Sequence, residues 1–221
     1  MCVNYLPVPK RILLDYFQTL PPIEDWHDEV WEDYTAPIIV ADGPGRKSLL
    51  ASYGMVPKKR LPPDKRFTTM NARAETIGQL PSYKRAWLQC QLCLVPMMGF
   101  FEPYYAVGSD KSERYMISLV NNDPFAVAGL WRSWSEEDGS LSYSFSQITI
   151  NADDHPLMNQ MHKTGVEKRS LVIVPKAYYD TWLDCHSTEL ARTFLQNYPA
   201  ELMQAFPTPR KPPLPVTGSL F

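Results

Sequence analysis

The sequence predicts an α+β fold, dominated by an antiparallel sheet that curls into a barrel and carries helices at its periphery. Three observations carry that expectation. Apolar runs of strand length recur along the chain, only three stretches have helical spacing, and 21 prolines divide 221 residues into short elements. Many short strands with few helices are the pattern of a sheet closed on itself or nearly so.

The elements follow in order. From Lys10 to Leu20, apolar Ile12, Leu13, Tyr16, Phe17 and Leu20 have helical spacing, and Pro21-Pro22 stops the run. Asp25 to Asp33 is acidic and Trp-rich, a surface loop or short helix. Ile38 to Ala41 reads as a strand, Asp42-Gly43-Pro44-Gly45 as a tight turn, and Ser48 to Met55 as the returning strand. Lys58-Lys59-Arg60 with Lys65-Arg66 is the most basic stretch. Cys90 to Met98 is continuously apolar, as a buried strand is. Tyr115–Val120, Phe125–Leu130, the alternating Ser142–Ile150, and Ser170–Val174 read as strands. Ala177–Leu183 and Thr188–Tyr198 read as helices. Residues 1–206 are expected to form one domain, and the Pro-rich stretch from Pro207 to Phe221 a flexible tail.

Composition narrows the function. The chain is 44% hydrophobic, 12% aromatic and 21% charged, so it is globular and has apolar material for a core. A net charge of −2 gives no global attraction to nucleic acid or anionic membrane, and any DNA affinity must come from a local basic patch. No signal peptide follows Lys10-Arg11, and no apolar run reaches the ~18 residues of a membrane span. The expectation is a cytoplasmic, monomeric protein whose four cysteines (Cys2, Cys90, Cys93, Cys185) stay reduced.

Cys2 is the most informative residue. If Met1 is removed, one residue carries an α-amine with a reference pKa of about 7.7–8.0 and a thiol of about 8.5. A 1,2-aminothiol condenses with an aldehyde to an imine, and the thiol then closes on the same carbon to give a thiazolidine. Cys90-Gln91-Leu92-Cys93 has CxxC spacing, but a strand puts such a pair on opposite faces, so both read as core residues. Asp153-Asp154-His155 lacks a second cluster to complete a metal site, and no dinucleotide, P-loop, GxSxG or HExxH motif occurs. No cofactor and no metal are expected.

Two further segments read as chemistry. In Asn71-Ala72-Arg73-Ala74-Glu75-Thr76, an extended backbone puts Asn71, Arg73 and Glu75 on one face. Gly99-Phe100-Phe101-Glu102 ends an apolar strand in a carboxylate. Gly99 permits close backbone approach, and desolvation of Glu102 favours the protonated form that a general acid needs. His162 lies in a polar stretch before the Ser170–Val174 strand, where an imidazole can shuttle protons near neutral pH.

Met1-Cys2, then the Asn71-to-Thr76 segment, then Gly99-to-Glu102, then His162 before Ser170-Leu171-Val172-Ile173-Val174-Pro175, resemble in order and spacing the SOS-response-associated peptidase (SRAP) family. Tyr34-Thr35-Ala36-Pro37 is similar to a further segment, and the resemblance covers about residues 1–185. It implies a DNA-damage protein that binds single-stranded DNA containing an abasic site and forms a thiazolidine crosslink with the sugar aldehyde, with peptidase and lyase activities attached to the family. Carried over by position, Cys2 is the nucleophile, Asn71 orients the sugar, Glu102 is the acid/base, His162 shuttles protons and Arg73 contacts phosphate. The chain departs from the pattern at Val3-Asn4, where the family has Gly-Arg beside the nucleophile. It departs again at Met55-Val56-Pro57-Lys58, where members carry tryptophans, and at Pro103. An arginine expected after Thr76 is absent, which leaves Lys58, Lys84 and Arg85 as the remaining DNA contacts. The alternatives are a non-catalytic nucleic-acid or partner-binding module, and an N-terminal-nucleophile peptidase acting on Met1.

Overall fold

The computed structural model describes residues 3–65 and 67–210. Its centre is a closed barrel of five strands: β2 (Thr35–Asp42), β3 (Gly45–Tyr53), β5 (Leu92–Tyr105), β7 (Phe125–Ser135) and β8 (Leu141–Asn151). They pair in the cycle β7–β8–β3–β2–β5, and β5 pairs again with β7 to close it. The α+β barrel expected from the sequence is therefore present. It is not wholly antiparallel, because β3 and the short β4 (Asn71–Arg73) both run parallel to β8.

β2 and β3 form a hairpin in register from Thr35↔Ser52 to Asp42↔Gly45. Gly43 takes φ 57° and Pro44 follows, the arrangement of a two-residue turn that suits the strands' twist.

β5 is the longest element, at 14 residues, and it changes partners along its length. Leu92 to Met97 face β7, and Phe100 to Tyr105 face β6 (Ser112–Leu119). Between them Gly99 and Phe100 lie against β1 (Tyr5–Pro7). A Cβ on Gly99 would meet the Ile117 carbonyl at 2.9 Å, so glycine is what lets β6 approach. β6 is covered in turn by β11 (Met203–Pro207).

Strand alternation feeds two cores. Val40, Tyr53, Cys93, Val95, Val127 and Phe145 point into the space the five strands enclose. Ile39, Leu94, Ala128, Leu130 and Ile148 point out, against Trp87 of α2 (Pro81–Leu88) and Trp182 of α3 (Tyr179–Leu183). A sheet buried on both faces explains why β5 reads as an unbroken apolar run. The Trp182 indole also donates to the Cys93 carbonyl at 2.9 Å, so its polar edge is satisfied in the core.

Several elements are shorter than their sequence patterns. α1 (Lys10–Asp15) ends five residues before Leu20. Gln18 turns left-handed at φ 55° and the Thr19 N–H closes on the Leu13 carbonyl, which terminates the helix before Pro21 is reached. Phe17 remains buried and stacks on Tyr179 at 5.7 Å, so its helical spacing reflects packing beyond the helix. α4 (Thr188–Thr193) likewise stops short of Tyr198. The Ser170–Val174 strand is two strands. β9 (Arg169–Leu171) pairs with β8 and β10 (Ile173–Val174) with β7, and Val172 bonds both neighbours as the chain crosses over. Cys90 lies outside any strand, in the turn before β5 at φ 48°, half-buried, whereas Cys93 is fully buried. Of the expected tail, Pro207 to Arg210 is packed chain: Thr208 N–H donates to the Arg114 carbonyl at 2.7 Å and Arg210 lies 4.6 Å over Trp31. Residues 211–221 lie outside the described residues. Among the described residues, no helix is long and apolar enough to cross a membrane.

Gly129 sits where β7 is paired on both sides, opposite Cys93 and Gln147. A Cβ there would meet Cys93 Sγ at 2.8 Å, the Ser146 carbonyl at 2.9 Å and Val95 Cγ2 at 3.0 Å. Gly129→Ala should destabilise the protein by about 1–3 kcal/mol through overpacking at the seam, read as a lower midpoint in urea. An unchanged midpoint would show that the seam can widen freely.

Candidate active site

Glu102 is 3% exposed, near the end of β5. Its Oε2 lies 2.7 Å from Nε2 of His162, joining two of the four residues expected to be catalytic. The backbone holds His162 there. Its N–H donates to the Pro103 carbonyl at 2.6 Å, Met161 bridges Tyr104, and His162 itself adopts a left-handed φ of 62°. The turn is tied off by Lys168, whose Nζ donates to the carbonyls of Met161, His162 and Lys163 at 2.6, 2.9 and 3.1 Å. Burial pushes the Lys168 ammonium below its ordinary value, against Asp153.

The N-terminal segment runs into the same place. The Asn4 carbonyl accepts from Phe101 N–H at 3.2 Å, immediately before Glu102, and the Asn4 amide donates to Glu29 at 2.5 Å. Glu29 pairs with Arg114 at 2.7 Å, and the Arg114 guanidinium lies 3.3 Å over the Phe101 ring. Asn4 is therefore buried within a closed ring of contacts. A pocket of about 330 Å³ opens here, lined by Val3, Asn4, Glu102, Pro103, Arg114 and Arg210 among others. Cys2 lies outside the described residues, but Val3, its neighbour, lines the pocket that holds Glu102.

Asn71 and Arg73 lie on β4 beside β8, with Ala72 buried between them. The Asn71 carbonyl accepts from Tyr83 Oη at 3.1 Å. Burial, partly offset by Ser146, raises the Tyr83 phenol to about 12, so it stays protonated as that donor. Four charged side chains bind β4 to the loop behind His162: Arg73 pairs with Glu167, and Arg169 pairs with Glu167 at 2.9 Å and Glu75 at 2.8 Å. Glu75 therefore belongs to an ion-pair network rather than to a row of site residues with Asn71. Burial raises the Glu75 carboxyl, and its Arg169 hydrogen bonds outweigh that, leaving it below its ordinary value. Arg169 and Arg73 likewise hold Glu167 down against burial.

The other basic residues expected to contact DNA are dispersed. Lys58 pairs with Glu32 at 2.9 Å and Asp33 at 3.6 Å, so its charge is compensated within the chain. Lys84 and Arg85 lie on the exposed side of α2. Burial, with Cys185 adding to it, raises the Cys90 thiol, and burial alone raises that of Cys93 well above its ordinary value, which disfavours the thiolate at both. His155 accepts from the N–H groups of Leu157 and Met158 on Nδ1 and contacts the Tyr198 carbonyl at 2.8 Å through Nε2, which leaves it no ligand role. Among the described residues, no group of three or more His, Cys, Asp or Glu side chains could hold a metal ion.

Sequence reasoning did not find Lys168, Arg169, Glu29 or Arg114. Lys168-Arg169 reads as polar link, and its one signal is its place directly before a buried strand. Glu29 and Arg114 carry no local signal, because they meet only through the fold.

The Glu102–His162 pair joins two of the segments on which the resemblance to the SRAP family rests. The chain belongs to the SOS response associated peptidase (SRAP) family, whose model matches residues 21–211. Abasic site processing protein YobE of Bacillus subtilis strain 168 is 27% identical over 170 residues, covering 76% of this chain and 74% of that protein. The rat protein HMCES, also named an abasic site processing protein, is 26% identical over 139 residues, 51% of this chain and 39% of its own. A solved structure from Bordetella bronchiseptica superposes with TM-score 0.82 at 30% identity, covering 94% of this chain and 99% of that one. A second, from Bacteroides thetaiotaomicron, shares the fold with TM-score 0.75 at 21% identity, covering 93% and 91%.

Arg169 is 3% exposed, so removing one of its two carboxylates leaves a buried cation under-compensated. Glu75→Gln should cost about 1 kcal/mol at pH 7, the low end for such a loss because Glu75 is half exposed. A carboxyl held lower when folded than when unfolded adds stability that is complete above the unfolded value. That stability disappears as pH falls through the folded value. Stability lost on acidification below about pH 4.5 should therefore be smaller in Glu75→Gln than in wild type, measured by urea titrations across that range. Identical acid limbs would remove Glu75 from the network's energetics.

Proposed function

We propose that this protein captures abasic sites in single-stranded DNA through Cys2, once Met1 has been removed, and holds them as a thiazolidine DNA–protein crosslink. The Glu102–His162 pair at 2.7 Å, with Glu102 lining the same pocket as Val3, is the observation that carries the reading. The names of the relatives supply the substrate class: YobE and HMCES are abasic site processing proteins.

The chemistry matches the groups. Opening the closed sugar of an abasic site breaks the bond between its anomeric carbon and ring oxygen: Glu102 protonates that oxygen, and the anomeric hydroxyl gives its proton to water as the aldehyde forms. The Cys2 amine adds to the aldehyde carbon, the carbinolamine loses water, and an imine results. The thiol then adds to the imine carbon, its proton passes to nitrogen, and the thiazolidine ring closes. His162, bonded to Glu102, moves protons between these steps, and both residues lie where little water can compete. Asn71 orients the sugar from β4. Lys84 and Arg85 are the phosphate contacts, and Arg73 and Lys58 contribute less because Glu167 neutralises the first and Glu32 and Asp33 the second.

The direct test is a denaturing gel of protein incubated with single-stranded DNA bearing one abasic site. Wild type should give a shifted band that Cys2→Ala abolishes, and intact mass should show that Met1 is absent. No band for wild type, or one unchanged in Cys2→Ala, would sink the reading. Glu102→Gln should slow crosslinking by about 10²–10⁴-fold, the span of general acid–base catalysis. His162→Ala should slow both formation and release, chased with excess competing aldehyde, while changing the final yield little. Because the two side chains are bonded, the double variant should be slowed by less than the product of the single effects. Multiplicative effects would separate the two residues into independent roles.

A further inference from the structure

A cleft of about 110 Å³ lies between α2 and β7, lined by Ser82, Arg85, Gln89, Gln91 and Arg132 among others. Its polar lining holds two guanidiniums and, among the described residues, no carboxylate. Other cations of the chain are arranged otherwise. Lys59 and Arg60 both pair with Glu136, at 3.0 and 2.8 Å, and Ser142 and Lys59 hold that carboxyl down to about 2. Arg114 has Glu29, and Arg169 has two carboxylates. Arg132 is half-buried, and the charge that acts on it is the like charge of Arg85. Burial, and then Arg85, push its guanidinium down from its ordinary value.

Arg132 is also held in place. Its guanidinium stacks 3.8 Å over Trp134, whose indole donates to Ser144 Oγ at 2.8 Å, and Ser144 in turn donates to the Met55 carbonyl at 2.9 Å. Arg132, held by Trp134, and the exposed Arg85 oppose one another across the cleft until an anion sits between them. Guanidiniums flanked by hydroxyl and amide donors match the oxygens of a phosphate, which they bind in bidentate fashion.

We infer that Arg85 and Arg132 together form a phosphate-binding cleft, and that its phosphate belongs to the backbone of single-stranded DNA lying outside the crosslinking pocket. The inference rests on the reading of the protein as a single-stranded DNA binder, and it adds Arg132, on β7, to the residues that hold the strand.

The test uses the whole protein and undamaged single-stranded oligonucleotide, so it does not depend on crosslinking. Affinity is measured by fluorescence anisotropy over a range of salt for wild type, Arg132→Gln, Arg85→Gln and the double variant, with exposed Arg11→Gln as control. Each cleft variant should weaken binding several-fold and flatten the log–log salt slope by about 0.7, the contribution of one phosphate on a single strand. The double variant should add little, because both side chains serve one phosphate. Inorganic phosphate separates the two possible sources. If it raises the melting temperature of wild type but not of Arg132→Gln while the DNA slope is unchanged, the cleft takes free phosphate. If neither DNA binding nor phosphate distinguishes Arg132→Gln from Arg11→Gln, the cleft is not a phosphate site. Failure of the abasic-site capture reading would show instead on the Cys2 gel.

Discussion

The pairing of β5 with β7 is the constraint on which the rest of the molecule depends. It turns a run of hairpins into a closed barrel, and it does so with the first half of one long strand. The second half is then free to leave the barrel and pair with β1 and β6. Glu102 lies on that departing half. A strand confined to the barrel would keep its side chains in one of the two apolar cores. A strand that leaves it can carry a carboxylate into a pocket while remaining rigidly anchored at its base. Gly129 at the seam and Gly99 at the departure are the two positions where absent side chains make this possible.

The site gathers pieces from distant parts of the chain, and each is fastened by a different interaction. The N-terminal segment is held by backbone pairing to β5 and by the contacts of Asn4 with Glu29 and of Glu29 with Arg114. The His162 turn is held by Lys168 and by the carbonyl of Pro103. β4 is held to the segment following that turn by charge pairs centred on the buried Arg169. Catalytic geometry demands positions fixed to fractions of an ångström. For the proposed chemistry that demand would be met by polar contacts around Glu102 and His162, which sit on a strand's departing half and in a turn.

Much of the fold was legible because burial on both sheet faces writes itself as apolar runs, and β2, β5 and β8 fall where those runs are. Helix ends were not legible. Tyr16 and Phe17 keep helical spacing because they pack on the helix-bearing core, although the helix has already ended at Asp15 and the backbone turns just after them at Gln18. The division of Ser170–Val174 between two partners was hidden for a related reason, since both halves are equally buried. Glu102 and His162 could be read from local context: a carboxylate ending an apolar strand, and a histidine in a polar stretch before one. Arg132 could not, because its meaning comes from Arg85, 47 positions earlier on another element. The Asn4 contacts were also out of reach, for they join segments that only the closed barrel brings together.

The left-handed backbone at His162 has an evolutionary and practical consequence. A side chain with a Cβ pays about 1–2 kcal/mol for that conformation, whereas glycine adopts it freely. Backbone conformation alone would favour glycine there, but the bond to Glu102 pulls the other way, since its loss would leave a buried carboxylate without that partner. Selection or engineering for heat resistance, applied without a functional screen, would therefore weigh backbone relief at residue 162 against the pairing of Glu102, and glycine there would remove the group proposed to carry protons.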